Sequence, residues 1–282
     1  MTGILTLCAT PIGNLEDMSV RAVKALSEAD LIAAEDTRNS IKLLNHFEIH
    51  TPMTSYHEYN KYDKARELVE LLLQGKNITL ISDAGTPAIS DPGEVLVKMC
   101  HEAGITVTAV PGPAACIMGL TMSGMNSRRF CFEGFLPPDN KERKQILEDL
   151  SKEKRTIILY EAPHHLKKTL NYLKDTLGGS RRMTLCRELT KKHEEIFLTT
   201  IDECLNRYET EEPRGECVLV IEGMSQEAIA EERKAAFEGM SLLEHMQLYL
   251  DQGIDKKEAM KKVAKDLGVS RRDIYNQLLA ME

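Results

Sequence analysis

The stretch Ile81–Gly93, I-S-D-A-G-T-P-A-I-S-D-P-G, limits the choice of fold more than any other part of this chain. It follows directly on an apolar segment, Asn77–Ile81, that reads as a buried strand. Gly85, Pro87 and Pro92 turn the backbone, and Asp83 and Asp91 are set among small hydroxyls. A loop of this composition lets main chain approach a ligand closely. In open parallel sheets, ligands bind where strands end in such loops. The other reading is a plain β-to-α connection, although two Pro and two Gly exceed what a turn needs.

The flanking pattern agrees with an open sheet. Ile4–Ala9, Asp30–Ala34, Asn77–Ile81 and Ile105–Val110 read as strands. Met18–Glu28, Ile41–Phe47, Tyr62–Leu73 and Glu94–Ala103 read as helices, with Leu68, Leu71 and Leu72 on one stripe. Such alternation builds a parallel sheet covered on both faces. A second Pro/Gly turn, V-P-G-P-A-A at 110–115, opens a helix of small residues in which Pro113 suits the first turn. Ala114, Ala115 and Gly119 there allow close backbone approach.

A second α/β region follows, in which strands succeed one another more quickly. Phe130–Phe135, Thr156–Tyr160, Arg182–Arg187, Glu194–Thr200 and Cys217–Glu222 read as strands of a mixed sheet, with helices at Lys141–Leu150 and His165–Leu177. After Gly223 the composition shifts to Ala, Glu and Lys, then to short amphipathic helices. The expected organisation is therefore an N-terminal α/β domain (1–112), a second α/β domain (113–224), a helical linker (225–238) and a small all-α module (239–282). In that module Val263 and Leu267 face one way and Gly268 ends the helix. Ser270 caps the next helix, whose Ile274, Leu278 and Leu279 are expected to pack back. This is helix-turn-helix chemistry, with Arg271 and Arg272 placed to meet phosphates or base edges. A purely structural three-helix bundle is the alternative.

Net charge is −8, which taken alone argues against a polyanionic partner. The charge is uneven, however. Lys256–Arg272 carries seven Lys/Arg against two acidic residues, and Arg181–Lys192 carries five against Glu188. Local patches decide where a polyanion docks. The seven cysteines are widely spaced with no C-x-x-C pair, so buried thiols are expected in place of disulfides or a metal site. With no long apolar run and no signal-like N-terminus, a cytoplasmic protein without a membrane span is expected.

Eight segments occur in an order that resembles one family. They are A-T-P-I-G-N-L (9–15), A-E-D-T-R (34–38), S-Y-H-E-Y-N (55–60), the 81–93 loop, V-P-G-P-A-A (110–115), Y-E-A-P-H-H (160–165), C-R-E-L-T-K-K-H-E-E (186–195) and P-R-G-E-C-V-L-V (213–220). The set resembles the ribosomal small subunit methyltransferase I family over residues 1–224, and the helix-turn-helix is similar to that family's appended module. The resemblance implies the tetrapyrrole methylase fold, two α/β domains with S-adenosyl-L-methionine between them, and a homodimer. It also implies 2′-O-methylation of a cytidine ribose in 16S rRNA at the decoding centre, on free rRNA or within the small ribosomal subunit. By the same resemblance, Pro11, Gly85, Thr86, Pro87, Ile89, Ala114 and Ala115 are cofactor-binding candidates. Thr86 stands where the fold carries an aspartate, so Asp83 is the candidate for the adenosine ribose. Tyr160, Glu161, Arg187, Glu188, Gly215 and Glu216 are the candidates from the second domain.

A ribose hydroxyl needs its proton removed, or its alkoxide stabilised, before it attacks. Glu35, Asp36 and Arg38, at the end of a short strand, are the catalytic candidates, against a local ion pair that anchors the following helix. His57, Glu58 and Asn60, with Tyr56 and Tyr59 for stacking, are substrate-binding candidates together with Arg271 and Arg272; a solvated loop is the alternative for the first group. Two other readings stay open: a tetrapyrrole-type small-molecule methylase, and a helix-turn-helix regulator with a metabolite-sensing domain.

Overall fold

A computed structural model describes residues 1–280, apart from the side chains of residues 226 and 232. Residues 281–282, the end of the expected module, lie outside the described residues. The chain divides into two compact units. The first comprises Met1–Ser151 and Arg155–Glu222 and holds both sheets; the second comprises Lys152–Lys154 and the chain from Gly223 onward.

The first half alternates as expected. It runs β1 (Ile4–Cys8), α1 (Val20–Glu28), β2 (Leu31–Ala34), α2 (Thr37–His46), β3 (Met53–Ser55), α3 (Lys61–Leu73), β4 (Ile78–Ile81), α4 (Gly93–Glu102) and β5 (Thr106–Val110). All five strands are parallel, in the order β3-β2-β4-β1-β5. Every residue of the central β4 is buried, as a strand covered on both faces requires. Leu68, Leu72 and Leu96 cover one face with Leu5 and Leu80; Leu26 and Leu44 pack with Ile32 and Ile81 in another cluster. Two differences from the sequence reading have local causes. Asp36 caps α2, so the helix begins at Thr37, ahead of its apolar stripe. Strand β3 has three half-buried residues, too few to show a period-two pattern.

The second half opens with α5 (Ala115–Ser123) and β6 (Phe130–Phe135), then α6 (Asn140–Ser151), β7 (Thr156–Glu161), α7 (Pro163–Leu177), β8 (Arg182–Arg187), β9 (Glu195–Thr200), α8 (Ile201–Thr210) and β10 (Cys217–Ile221). Pro113 does not occupy the first turn of α5: the helix starts at Ala115 with Ala114 as its cap, so the proline precedes it. The sheet order is β6-β7-β10-β8-β9, with β6 and β7 parallel and the other pairs antiparallel. Helix α5 lies against β7, β8 and β10. Gly119 permits that approach, since an added Cβ would stand 2.9 Å from Val218 Cγ1. The sequence reading lacked α8, which a Thr200–Glu203 capping box starts directly at the end of β9.

The second unit is helical: α9 (Gln226–Ala236), α10 (Leu242–Leu250), α11 (Lys256–Leu267) and α12 (Arg271–Leu279). Gly268, at φ 68°, ends α11, and Ser270 caps α12 in a capping box with Asp273. Val263, Ile274 and Leu278 share one small core. Leu279, expected to join it, is exposed. The core also holds His245, buried against the Phe237 ring and bonded at 3.2 Å to Asp266.

Candidate active site

The loop after β4 is shaped by Asp91. Its carboxylate accepts hydrogen bonds from the backbone N–H of Ala88 (3.0 Å), Ile89 (3.3 Å) and Gly93 (2.7 Å). These bonds hold Ala88 and Ser90 at φ 66° and 64°, a left-handed conformation that costs non-glycine residues roughly 1–3 kcal/mol each. Gly93 has no room for a side chain, because a Cβ would come 2.7 Å from Asp91 Oδ1 and 2.9 Å from Ala88 N. Upstream, Gly85 at φ 84° exchanges backbone hydrogen bonds with Thr10 in both directions, at 2.9 and 3.0 Å. The Thr86 hydroxyl donates to Pro113 O at 2.9 Å. The loops after β1 and β4 and the entry to α5 are thereby tied into one wall.

The opposing wall comes from the second sheet. Tyr160, the last residue but one of β7, has its ring edge against Phe132 and Phe135, and its hydroxyl accepts a hydrogen bond from Cys116 N at 2.9 Å. Glu161 is buried; it accepts from Ala162 N at 2.8 Å and from the Thr169 hydroxyl, at the N-terminal end of α7. Between the walls lies a cavity of about 360 Å³, within the range of small-molecule sites. Of the residues expected to bind a cofactor, Asp83, Gly85, Thr86, Ile89, Ala114, Ala115, Tyr160, Glu161 and Glu216 line it. Pro11 and Pro87 sit beside lining residues without lining it themselves. Arg187, Glu188 and Gly215 face a second cavity instead.

The three catalytic candidates separate. Glu35 lines the cavity. Burial, together with repulsion from Asp83 and Asp91, pushes its carboxyl above the ordinary carboxylate range; a hydrogen bond from the Asp83 backbone and the nearby His57 pull the other way. Asp36 turns outward as the α2 cap and forms a fork with Arg38, Nε at 3.0 Å and Nη2 at 2.7 Å, which lowers its pKa to about 2. Its backbone N–H donates to Asp83 Oδ1 at 3.0 Å, so this pair braces the loop that carries Asp83.

The 55–60 segment is a turn. Asn60 Oδ1 accepts from His57 N at 2.8 Å, Asn60 Nδ2 donates to Ser55 O, and Glu58 pairs with Lys61. His57 Nδ1 is buried without a hydrogen-bond partner among the described residues. Tyr56, offered above for stacking, belongs to the core, and its hydroxyl donates to Pro92 O at 2.7 Å; Tyr59 is exposed. Arg271 and Arg272 are exposed at the start of α12 in the second unit.

The cavity also contains residues not named above as candidates: Ile12, Leu189 and Val218, which lie within the quoted segments, and Phe135, which lies outside them. Phe135 carried a signal, since it is a large aromatic directly before the Leu136-Pro137-Pro138 break. The lining brings together five carboxylates (Glu35, Asp83, Asp91, Glu161 and Glu216) with apolar side chains and, among the described residues, no lysine, arginine or histidine. Such a surface attracts a cation that also has an apolar part. No cluster of His, Cys, Asp and Glu suited to a metal ion occurs among the described residues, and no helix among them is long and apolar enough to cross a membrane.

Comparison with known proteins places this architecture. Residues 5–205 match the family of Tetrapyrrole (Corrin/Porphyrin) Methylases. Solved structures share the fold: diphthine synthase at a TM-score of 0.62 and 11% identity, covering 78% of this chain and 89% of that one, and uroporphyrin-III-C-methyltransferase from Thermus thermophilus at 0.53 and 16%, covering 77% and 94%. Identity is much higher to proteins named ribosomal RNA small subunit methyltransferase I. It reaches 45% with that of Synechocystis sp., over 99% of both chains, and 46% with that of Bacillus subtilis, over 97% of this chain and 93% of that one. Since that identity runs through both sheets and on into the C-terminal helices, the chain belongs to the ribosomal RNA small subunit methyltransferase I family of tetrapyrrole methylases.

Proposed function

We propose that the chain is an S-adenosylmethionine-dependent methyltransferase that acts on the ribose 2′-oxygen of a cytidine in 16S rRNA, at the decoding centre of the small ribosomal subunit. The observation that carries this reading is the cavity between the two sheets, acidic and free of lysine and arginine among the described residues, walled by the segments that carry the family resemblance. The residues present fit a sulfonium nucleoside: carboxylates for its positive groups, apolar side chains for its flat surface, and Asp83 for ribose hydroxyls. When bound, the cofactor supplies an electrophilic methyl group on a positively charged sulfur.

The residues of this chain position and deprotonate. Asp83, Gly85, Thr86, Ile89, Ala114 and Ala115 hold the donor from one side, and Tyr160, Glu161 and Glu216 from the other. In-line transfer depends mainly on aligning the three reacting centres, and the bonds that tie Gly85 to Thr10 and Thr86 to Pro113 keep this wall from drifting. Glu35 is the proton acceptor. The Glu35 carboxylate would accept the proton of the 2′-hydroxyl, and water would then carry that proton away from the carboxyl. A carboxyl with a raised pKa is the stronger base of this kind. In the second unit, Arg271 and Arg272 at the start of α12 contact RNA phosphates. The reading includes a homodimer in the cytoplasm, which the family resemblance supports.

The test is chemical. A strain lacking the protein loses one cytidine 2′-O-methyl from 16S rRNA, and the purified protein with S-adenosylmethionine restores it. An unchanged rRNA methylation map, with a changed tetrapyrrole profile or promoter output, overturns the reading.

A further inference from the structure

Beside the donor cavity lies a second one, of about 570 Å³, that none of the chemistry above uses. Two short segments are shared between them. Leu189 and Glu216 line the first cavity, while their neighbours Glu188 and Gly215 line the second. The partition is tightly built. Glu188 stands at φ 52° and Gly215 at φ 75°, and a Cβ on Gly215 would come 2.4 Å from the Glu188 side chain.

The lining of the second cavity carries three arginines against three glutamates, but they are not paired evenly. Each wall carboxylate already has a cation: Glu188 has Lys191 at 3.0 Å, Glu211 has Arg207 at 3.0 Å, and Glu212 has Lys167 at 3.1 Å. Arg187 and Arg207 share Glu195, at 2.8 and 2.7 Å. Arg214, by contrast, has no carboxylate on its guanidinium among the described residues, and neither has His193 on its imidazole. Both line the cavity and both are exposed. In the same lining is Tyr208, only 3% exposed, whose hydroxyl is buried without a hydrogen-bond partner among the described residues. Burial raises the Tyr208 pKa to about 12, so the hydroxyl keeps its proton and is able to donate. A donor buried without an acceptor is costly, and an acceptor brought by a ligand relieves that cost.

We propose that this cavity is a phosphate subsite for the RNA strand undergoing methylation, with the Arg214 guanidinium, the His193 ring and the Tyr208 hydroxyl as donors. The assignment rests on the RNA-methylation reading above. A guanidinium suits phosphate oxygens because it donates two parallel hydrogen bonds. The paired carboxylates nearby admit one phosphodiester but repel a denser polyanion. Because neighbouring residues serve both cavities, a phosphate next to the target ribose is the natural occupant. A phosphate contact of this kind sets the register of the strand without reading its sequence.

The experiment compares full-length wild type with Arg214→Ala, Arg214→Lys and Tyr208→Phe. It measures affinity for a small-subunit rRNA fragment as a function of salt, donor uptake by calorimetry, thermal unfolding, and methyl groups transferred. Arg214→Ala is expected to weaken RNA binding about tenfold, which is the size of one charge-assisted hydrogen bond. It is also expected to lower the slope of log K against log salt by about one contact. Arg214→Lys keeps the slope and loses affinity, and Tyr208→Phe loses affinity several-fold with the slope unchanged. All three take up donor as wild type does and unfold cooperatively. The proposal is overturned if the wild type methylates the RNA while Arg214→Ala and Tyr208→Phe bind it with unaltered affinity and slope. It is equally overturned if these substitutions affect only the uptake of inorganic phosphate or cytidine monophosphate, which would make the cavity a free-anion site. A wild type that transfers no methyl to rRNA brings down the underlying reading instead, and the methyl count tells the two failures apart.

Discussion

At the residue scale the central contrast is between Glu35 and Asp36, neighbours with opposite environments. Glu35 is held protonated more readily than a free carboxyl, mainly by burial, and Asp36 less readily, mainly by its hydrogen bonds with Arg38. Glu35→Gln should therefore retain donor binding and lose methyl transfer by about a hundredfold or more, the usual share of a general base. An activity within threefold of wild type would remove Glu35 from the mechanism. The same variant has a stability signature. Native Glu35 binds its proton more tightly than the unfolded chain does, so stability falls as pH rises from the ordinary carboxylate range through the raised pKa. Glutamine removes that fall, and urea titrations across acidic to neutral pH should show a flatter profile for the variant. Asp36 runs the other way. Its contribution is complete above the ordinary 3.8 and is lost as pH falls toward about 2. Asp36→Asn should flatten the acid limb of the stability curve by lowering stability at neutral pH while leaving it unchanged near pH 2, and the loss should be small because the Arg38 partner is largely exposed.

At the scale of elements, function depends on how loops leave their strands. The β4 loop holds two non-glycine residues in left-handed conformations through the carboxylate of Asp91. Gly93→Ala should force that carboxylate and the Ala88 backbone apart, and should weaken donor binding tenfold or more while the far-ultraviolet spectrum is retained. Calorimetry with S-adenosylmethionine checks this, and wild-type affinity would show that the loop is not the donor's seat. Helix starts carry similar leverage. Ser270 and Asp273 form the capping box of α12, so Ser270→Ala should cost the second unit about 1 kcal/mol. Denaturation monitored within the helical unit reads that loss. Strand β3 and helix α8 escaped the sequence reading for an element-level reason as well. One is three residues long, too short for a period-two pattern even though Pro52 precedes it, and the other follows a strand with no intervening turn, so nothing punctuates its start.

At the scale of the whole molecule, the division into two compact units predicts separable tasks. A chain ending at Glu222 should take up donor with unchanged affinity, because every lining residue of the cavity proposed for the donor lies in the first unit. It should also bind rRNA more weakly and with a shallower salt dependence, having lost Arg271 and Arg272. Titrations of both ligands decide this, and full RNA affinity after truncation would make the helical unit purely structural. The alternation of strands and helices, the Gly/Pro loops and the caps at Ser270 and Gly268 are local properties of the chain, so they could be read from residue order. The sequence alone thus determined the α/β class, the loop that lines the cavity and the helix-turn-helix, because backbone propensity and hydrophobic period act over a few residues. Only the tertiary structure decided that Glu35 faces the cavity while Asp36 caps a helix, and that Glu216 and Leu189 line one cavity while Gly215 and Glu188 line another. Glu35 and Asp36 leave a strand, where successive residues point to opposite sides, and Glu188 and Gly215 turn the chain at positive φ; which side meets a second sheet is settled only when the two sheets pack.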